Sequence, residues 1–369
     1  MRQSPRWLFL LGLLGLWSSI SAQAPADSAD RKGDWALLVV PLVFYTPATD
    51  WAFGPAAFLR YETDDDCLGC NASFTRLYGY YTLARQWFVR LDGETWWHQN
   101  DYKLRHDFSY AITPFNFYGI GNTSPNRAKE AFSQDRILVR LEGSRRLVAN
   151  RPLYGGVIFN WQNWRNVTVD PDGLLANTNI TGQRGGHVVG MGMLLNYDTR
   201  DNVYFPRQGF YTDWFFTRYS KGLGSDFGFS QFRIDARYFV PVGDEATLAW
   251  QGFTQWSSGE VPFQMLSVMG SENWFRGIVR GRYLDNNSLT TQLEYRQPLF
   301  WRLGMSAFVA TGRVGQRVGE LVDVTGFRWA YGLGGRFTFD EKEHINARFD
   351  VAYSDVDGWN YYFTIREAF

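Results

Sequence analysis

Four histidines, two cysteines and a loop that carries arginine-glycine pairs are the features here with the most chemistry to offer, and their spacing argues against catalysis. His98, His106, His187 and His344 read as members of four different strands. No serine or aspartate constellation accompanies them, so they read as solvated wall residues. Cys67 and Cys70 follow Asp64-Asp65-Asp66 in a turn-like stretch. A metal would need two more ligands and no histidine is close in sequence, so a local disulfide is expected. Glycine-rich phosphate loops and metal-ligand spacings are absent. The sequence therefore predicts no catalytic residue, cofactor or metal. What remains is Trp274 to Leu299: Trp274-Phe275-Arg276-Gly277, then Arg280-Gly281-Arg282-Tyr283-Leu284-Asp285, then the alternating run Leu289-Thr290-Thr291-Gln292-Leu293-Glu294-Tyr295-Arg296. A long loop runs into a strand with charge on one face and apolar groups on the other. In water the charged face would have to be the core. In a membrane barrel the apolar face meets lipid and the polar face a wet lumen.

The elements around this segment fit such a barrel. Residues 1–22 read as a cleaved signal peptide, with Arg2 and Arg6 in a basic region, Trp7 to Trp17 apolar, and cleavage after Ala22. Residues 23–34 then form a short periplasmic segment and 35–369 the barrel. Past Ala22 no run is long enough for a membrane helix, since Ala36 to Phe44 is short and contains Pro41. Aromatic residues make up 18% of the chain, with 16 Trp, 20 Tyr and 30 Phe, which suits girdles at two membrane interfaces. A net charge of zero offers no nucleic-acid footprint.

Alternation gives the strands. It is cleanest in Ile345, Ala347, Phe349, Val351 and Tyr353 against His344, Asn346, Arg348 and Asp350, and again through Phe232 to Val240. The pattern places strands near 35–45, 51–62, 71–83, 86–97, 103–114, 131–149, 153–165 and 186–200. It continues near 209–220, 227–241, 245–257, 288–299, 302–315, 327–339, 343–354 and 359–369. The fold class is all-β, a transmembrane antiparallel barrel of sixteen strands, with fourteen as the nearest alternative. An even count is what single-chain bacterial barrels require. With the N-terminus in the periplasm, the three longest connections, near 115–130, 166–185 and 258–287, all fall outside. The last strand puts Tyr361, Phe363 and Ile365 on one face, and Phe369 ends the chain. This resembles the terminal signal that bacterial assembly machinery reads on outer-membrane barrels, with Glu367 departing from it.

Three stretches together resemble the bacterial surface antigen, or BamA/TamA-like, family of outer-membrane barrels. They are Leu195 to Asn202, containing Tyr197, Asp198, Arg200 and Asp201, with Pro206 and Gly209; Phe275-Arg276-Gly277-Ile278; and Gln292 to Arg296 with the strand after it. The likeness covers roughly 187–369. It implies that the loop folds back into the lumen, with Arg276 and Gly277 meeting Glu294 on the inner wall. The family's next strand reads Phe-x-Asp-x-Gly, whereas here Ala310 stands between Phe308 and Gly312. Glu294 would then hold Arg276 alone, or another carboxylate such as Asp350 would substitute, and a looser loop is expected. The family's soluble POTRA modules find no room before the first strand, so a barrel-only member is expected.

The resemblance implies assembly or translocation of other polypeptides, in an outer membrane rich in lipopolysaccharide. Client polypeptides are the expected partners, and the assembly machinery that of the chain's own insertion. A passive or gated pore is the alternative, with Arg233, Arg237, Glu294, Arg296, Arg336, Arg348 and Arg366 lining the lumen.

Overall fold

A computed structural model describes residues 35–63, 70–123, 129–203, 205–340 and 345–369. The expected signal peptide and the segment 23–34 lie outside the described residues. Sixteen antiparallel strands close into a barrel. In chain order they are β1 (Ala36–Thr46), β2 (Asp50–Tyr61), β3 (Ser73–Thr82), β4 (Trp87–Trp97), β5 (Tyr102–Phe117), β6 (Glu130–Arg146), β7 (Leu153–Thr168), β8 (Gly186–Asp198), β9 (Gly209–Tyr219), β10 (Phe229–Val242) and β11 (Ala246–Gly259). After a ribbon of β12 (Ser267–Met269) and β13 (Tyr283–Asp285), the wall resumes with β14 (Asn287–Pro298), β15 (Leu303–Gly315), β16 (Arg328–Asp340), β17 (Ile345–Ser354) and β18 (Gly358–Ile365).

The wall follows the alternation. On β14, Leu293 and Tyr295 are each 40% exposed, while Glu294 and Arg296 are buried inside. With no water in hydrocarbon, each backbone amide needs a neighbouring strand, and closure supplies it. Exposed tryptophans sit at both ends of the strands: Trp35, Trp97 and Trp301 at one, Trp87, Trp329 and Trp359 at the other.

Two strands, β5 and β7, run three residues past their sequence-based ends, whereas β6 stops three residues short of its own. β5, β6 and β7 have 16, 17 and 16 residues, against about 9–11 needed in lipid. The excess of β5 and β7 lies at the end with the long connections, where it raises the rim. Two further expectations are corrected. His98 occupies the β4–β5 turn at φ 57° instead of a strand. The last strand stops at Ile365, because Arg366 at φ 76° turns the remaining residues inward.

The lumen also departs from the expected wet interior. Residues 260–286 fold into it, and their Val261, Phe263, Met265 and Leu266 pack against wall residues Phe117, Phe132, Trp164, Val188, Tyr219 and Phe229. Those wall positions face inward yet are apolar, because they meet a loop that carries its own hydrophobic side chains. Burying each such side chain contributes about 1.5–3 kcal/mol. Polar lumen positions dominate only deeper in the barrel.

Closure is uneven. β1 pairs with β2 from Ala36↔Arg60 through Thr46↔Asp50 without a break. Against β18 it pairs at Tyr45↔Phe363 alone. Pro41, which has no N–H to give, stands on this sparsely paired edge, where proline is tolerated.

Candidate functional site

Arg276 reaches the inner wall from the loop and is completely buried. One terminal nitrogen donates to Asp350 Oδ2 at 2.7 Å. The other donates to Glu294 Oε2 and, at 3.4 Å, to Gln292 Oε1. The Phe308 ring covers the guanidinium face, its centroid 3.6 Å from Cζ. β14, β15 and β17 thus each supply one wall of the pocket. The alternation is what aims Gln292, Glu294, Phe308 and Asp350 at a single point, since i and i+2 share a face. Both carboxylates named from the sequence therefore contact the arginine, Asp350 as well as Glu294. Ala310, where a second acid was sought, packs with Met269, Phe275 and Ile278 of the loop.

Gly277 explains why the next residue is small. Its φ is +99°, and a Cβ there would lie 2.6 Å from the Ala330 Cβ. With the backbone so close to the wall, its N–H donates to Tyr362 Oη at 2.9 Å. Its carbonyl accepts from Ser354 Oγ at 2.7 Å and Asn360 Nδ2 at 2.9 Å. Two residues later the Val279 N–H donates to Asp357 Oδ2 at 2.9 Å. Burial pushes the Asp357 carboxyl, in the β17–β18 turn, above its ordinary value. The loop is thereby fastened to the two strands that end the barrel.

The ion pairs continue from there. Arg336 joins Asp350 Oδ1 at 2.7 Å, Glu294 Oε1 at 3.3 Å and Glu367 Oε2 at 2.9 Å. Arg296 joins Glu294 Oε1 at 2.7 Å and donates to the Phe369 carbonyl at 3.0 Å. Arg348 lies 3.4 Å from Asp350 Oδ2 and donates to the Glu272 carbonyl at 3.1 Å. Each buried carboxylate is shared between arginines, which is how charge survives away from bulk water.

The remaining sequence-derived residues separate by location. Tyr197, Asp198, Arg200 and Asp201 stand at the opposite end of the barrel and build the β8–β9 turn. Asp198 pairs with Arg200 at 2.7 Å, and Asp201 Oδ1 caps the N–H groups of Asn202 and Arg207. Gly312 faces the lumen on β15, higher than Phe308. Ile365 faces outward at 38% exposure, and Phe363 sits at the seam opposite Tyr45. Phe369 does not share their face: it is buried in the lumen against Phe239 and Ala249. Glu367 likewise points inward, where Arg336 holds it. Cys70 is disulfide-bonded, whereas Cys67 lies outside the described residues.

Sequence reasoning missed Tyr362, Ser354, Asn360 and Asp357. The available signal was the run of inward polar residues on the last two strands, which only a docked backbone would need.

A family profile described as the Omp85 superfamily domain matches residues 93–354. No curated protein sequence matches the chain. Among solved structures, BamA from Haemophilus ducreyi lacking POTRA domains 1–3 is 15% identical, with a TM-score of 0.57 over 91% of this chain and 71% of that one. CdiB from Acinetobacter baumannii is 12% identical, with a TM-score of 0.59 over 92% of this chain and 60% of its own. For CdiB from Escherichia coli the values are 14%, 0.60, 89% and 62%. The chain thus spans less than two thirds of either CdiB chain, and the likeness is one of fold.

Proposed function

The chain belongs to the Omp85 superfamily, and on that premise we propose that it helps other polypeptides into or across the bacterial outer membrane. Arg276 is the residue that keeps its lumen loop docked. The observation that carries the reading is the seam. β1 and β18 meet at one residue pair, so separating them breaks far less hydrogen bonding than parting any other two wall strands. An exposed strand edge is a template for another strand, and in lipid a client strand satisfies groups that would otherwise be costly. The docked loop supports the same reading, because it grips β17 and β18 beside that seam through Tyr362, Asn360 and Ser354. Client polypeptides and the lipid and lipopolysaccharide around the seam are the partners this implies, with no catalytic chemistry.

The test is a reversible lock. Tyr45→Cys and Phe363→Cys, in a Cys67→Ser, Cys70→Ser background, are cross-linked in liposomes. The folding rate of a small test barrel into those liposomes is then measured. Faster folding than in empty liposomes, abolished by the cross-link and restored by reductant, is expected. Equal rates in locked and reduced liposomes overturn the proposal. A gated pore is the second reading, favoured by the inward arginines Arg233, Arg237, Arg296, Arg336 and Arg348; it needs the loop to leave the lumen.

A further inference from the structure

Below the loop, toward the end with the short connections, the lumen opens into a cavity of about 440 Å³. Its wall carries Arg200, Arg233, Arg237 and Arg366 against Asp213, Asp235 and Glu367. Each carboxylate is already engaged: Asp213 by Arg105 at 2.9 Å, Asp235 by Arg237 at 2.6 Å and Glu367 by Arg336 at 2.9 Å. Arg200 is held by Asp198. Arg233 is different, since among the described residues it forms neither an ion pair nor a hydrogen bond. Its guanidinium lies 4.5 Å from the Phe215 ring centroid. Arg105 and Arg140 face the same ring at 5.7 and 4.6 Å. Arg105 is neutralised by Asp213 and Glu142 and Arg140 by Glu142, so Arg233 is the one cation of the three without a carboxylate partner, and the low-dielectric walls focus its field into the cavity.

We propose that this cavity is a binding site for a small organic anion, with Arg233 receiving an oxyanion head and the aromatic wall receiving a flat apolar body. Guanidinium groups engage phosphate or carboxylate through two parallel N–H donors. The body would lie along Phe215, Phe253 and Trp274, the last two of which stack at 5.0 Å and 11°. Trp274 is two residues before Arg276, so an occupant would touch the loop that plugs the lumen. The site is separate from the seam and does not depend on how the barrel handles polypeptides.

The experiment is calorimetric titration of the refolded full-length barrel in detergent with phenyl phosphate, benzoate and inorganic phosphate. Saturable binding of one phenyl phosphate or benzoate per barrel, weakened by salt and at least about tenfold by Arg233→Gln, is expected. Arg233→Lys keeps the charge without the fork and should fall between the two. Preference for phenyl phosphate over benzoate would assign a phosphate head, and the reverse a carboxylate. Heat-dependent gel mobility establishes that each variant is folded. If neither aromatic anion binds folded wild type, or if Arg233→Gln binds them equally well, the proposal is wrong. Inorganic phosphate binding as tightly as phenyl phosphate would remove the aromatic part of it.

Discussion

At the scale of single residues, Arg276 and Gly277 divide the work of docking between charge and shape. Arg276 brings a buried cation that Glu294 and Asp350 neutralise, so removing one carboxylate leaves charge without enough compensation. Asp350→Asn should therefore cost about 3–5 kcal/mol, read as a lower urea midpoint for unfolding in vesicles. Arg276→Met combined with Asp350→Asn should cost less than Asp350→Asn alone, because the orphaned cation has gone too. Purely additive losses would mean that the two groups act independently. Gly277→Ala tests shape. Positive φ alone costs a non-glycine residue about 1–2 kcal/mol, and the Ala330 contact adds to that. The expected result is faster tryptic cleavage at Arg280 and Arg282, with the wall strands still protected.

At the scale of elements, the strands were legible and the way the chain ends was not. Each wall strand has a hydrophobic face of period two, as in Phe349 and Val351 against Arg348 and Asp350, and that face needs lipid whatever happens elsewhere. Sixteen strands followed from this local signal alone. The inward apolar residues Phe117, Phe132 and Trp164 were not assignable, since nothing in β5, β6 or β7 reveals that a loop from residues 260–286 will cover them. Glu294 could be paired with Arg276 because the family resemblance supplied the loop's path. Tyr362 and Asn360 were marked in the sequence only as inward polar residues of the last strand, and nothing there names the Gly277 backbone as their partner. The tail misled for a related reason. Phe363, Ile365 and Phe369 read as one outward face only if the strand continues, and the turn at Arg366 ends it. Glu367, anomalous on a lipid face, is then the anchor of an inward tail through Arg336 and Asn346. Replacing it by alanine should loosen the tail by about 1–3 kcal/mol. Carboxypeptidase should then release Phe369 faster from Glu367→Ala vesicles than from wild type, whereas equal rates would mean that Phe239 and Ala249 suffice to hold it.

At the scale of the whole molecule, the loop and the seam are two different ways to open the same barrel. A sixteen-stranded wall is wide enough for an aqueous channel, so what limits current is the loop inside it. The loop has two anchorages, the apolar cluster around Phe263 and the ionic pocket around Arg276, and only the second also touches strands at the seam. Arg276→Ala should therefore give larger and more frequent openings in a planar bilayer than the small flickering currents expected of wild type. Cross-linking Tyr45→Cys to Phe363→Cys in the same variant decides what those openings are. Currents that persist under the cross-link run through the lumen and favour the gated pore. Currents that vanish under it and return with reductant run past a parted β1–β18 edge, which is the route a polypeptide would need. Steady large currents already present in wild type, unchanged by Arg276→Ala, would deny the loop any plugging role, and the buried guanidinium would then serve stability alone.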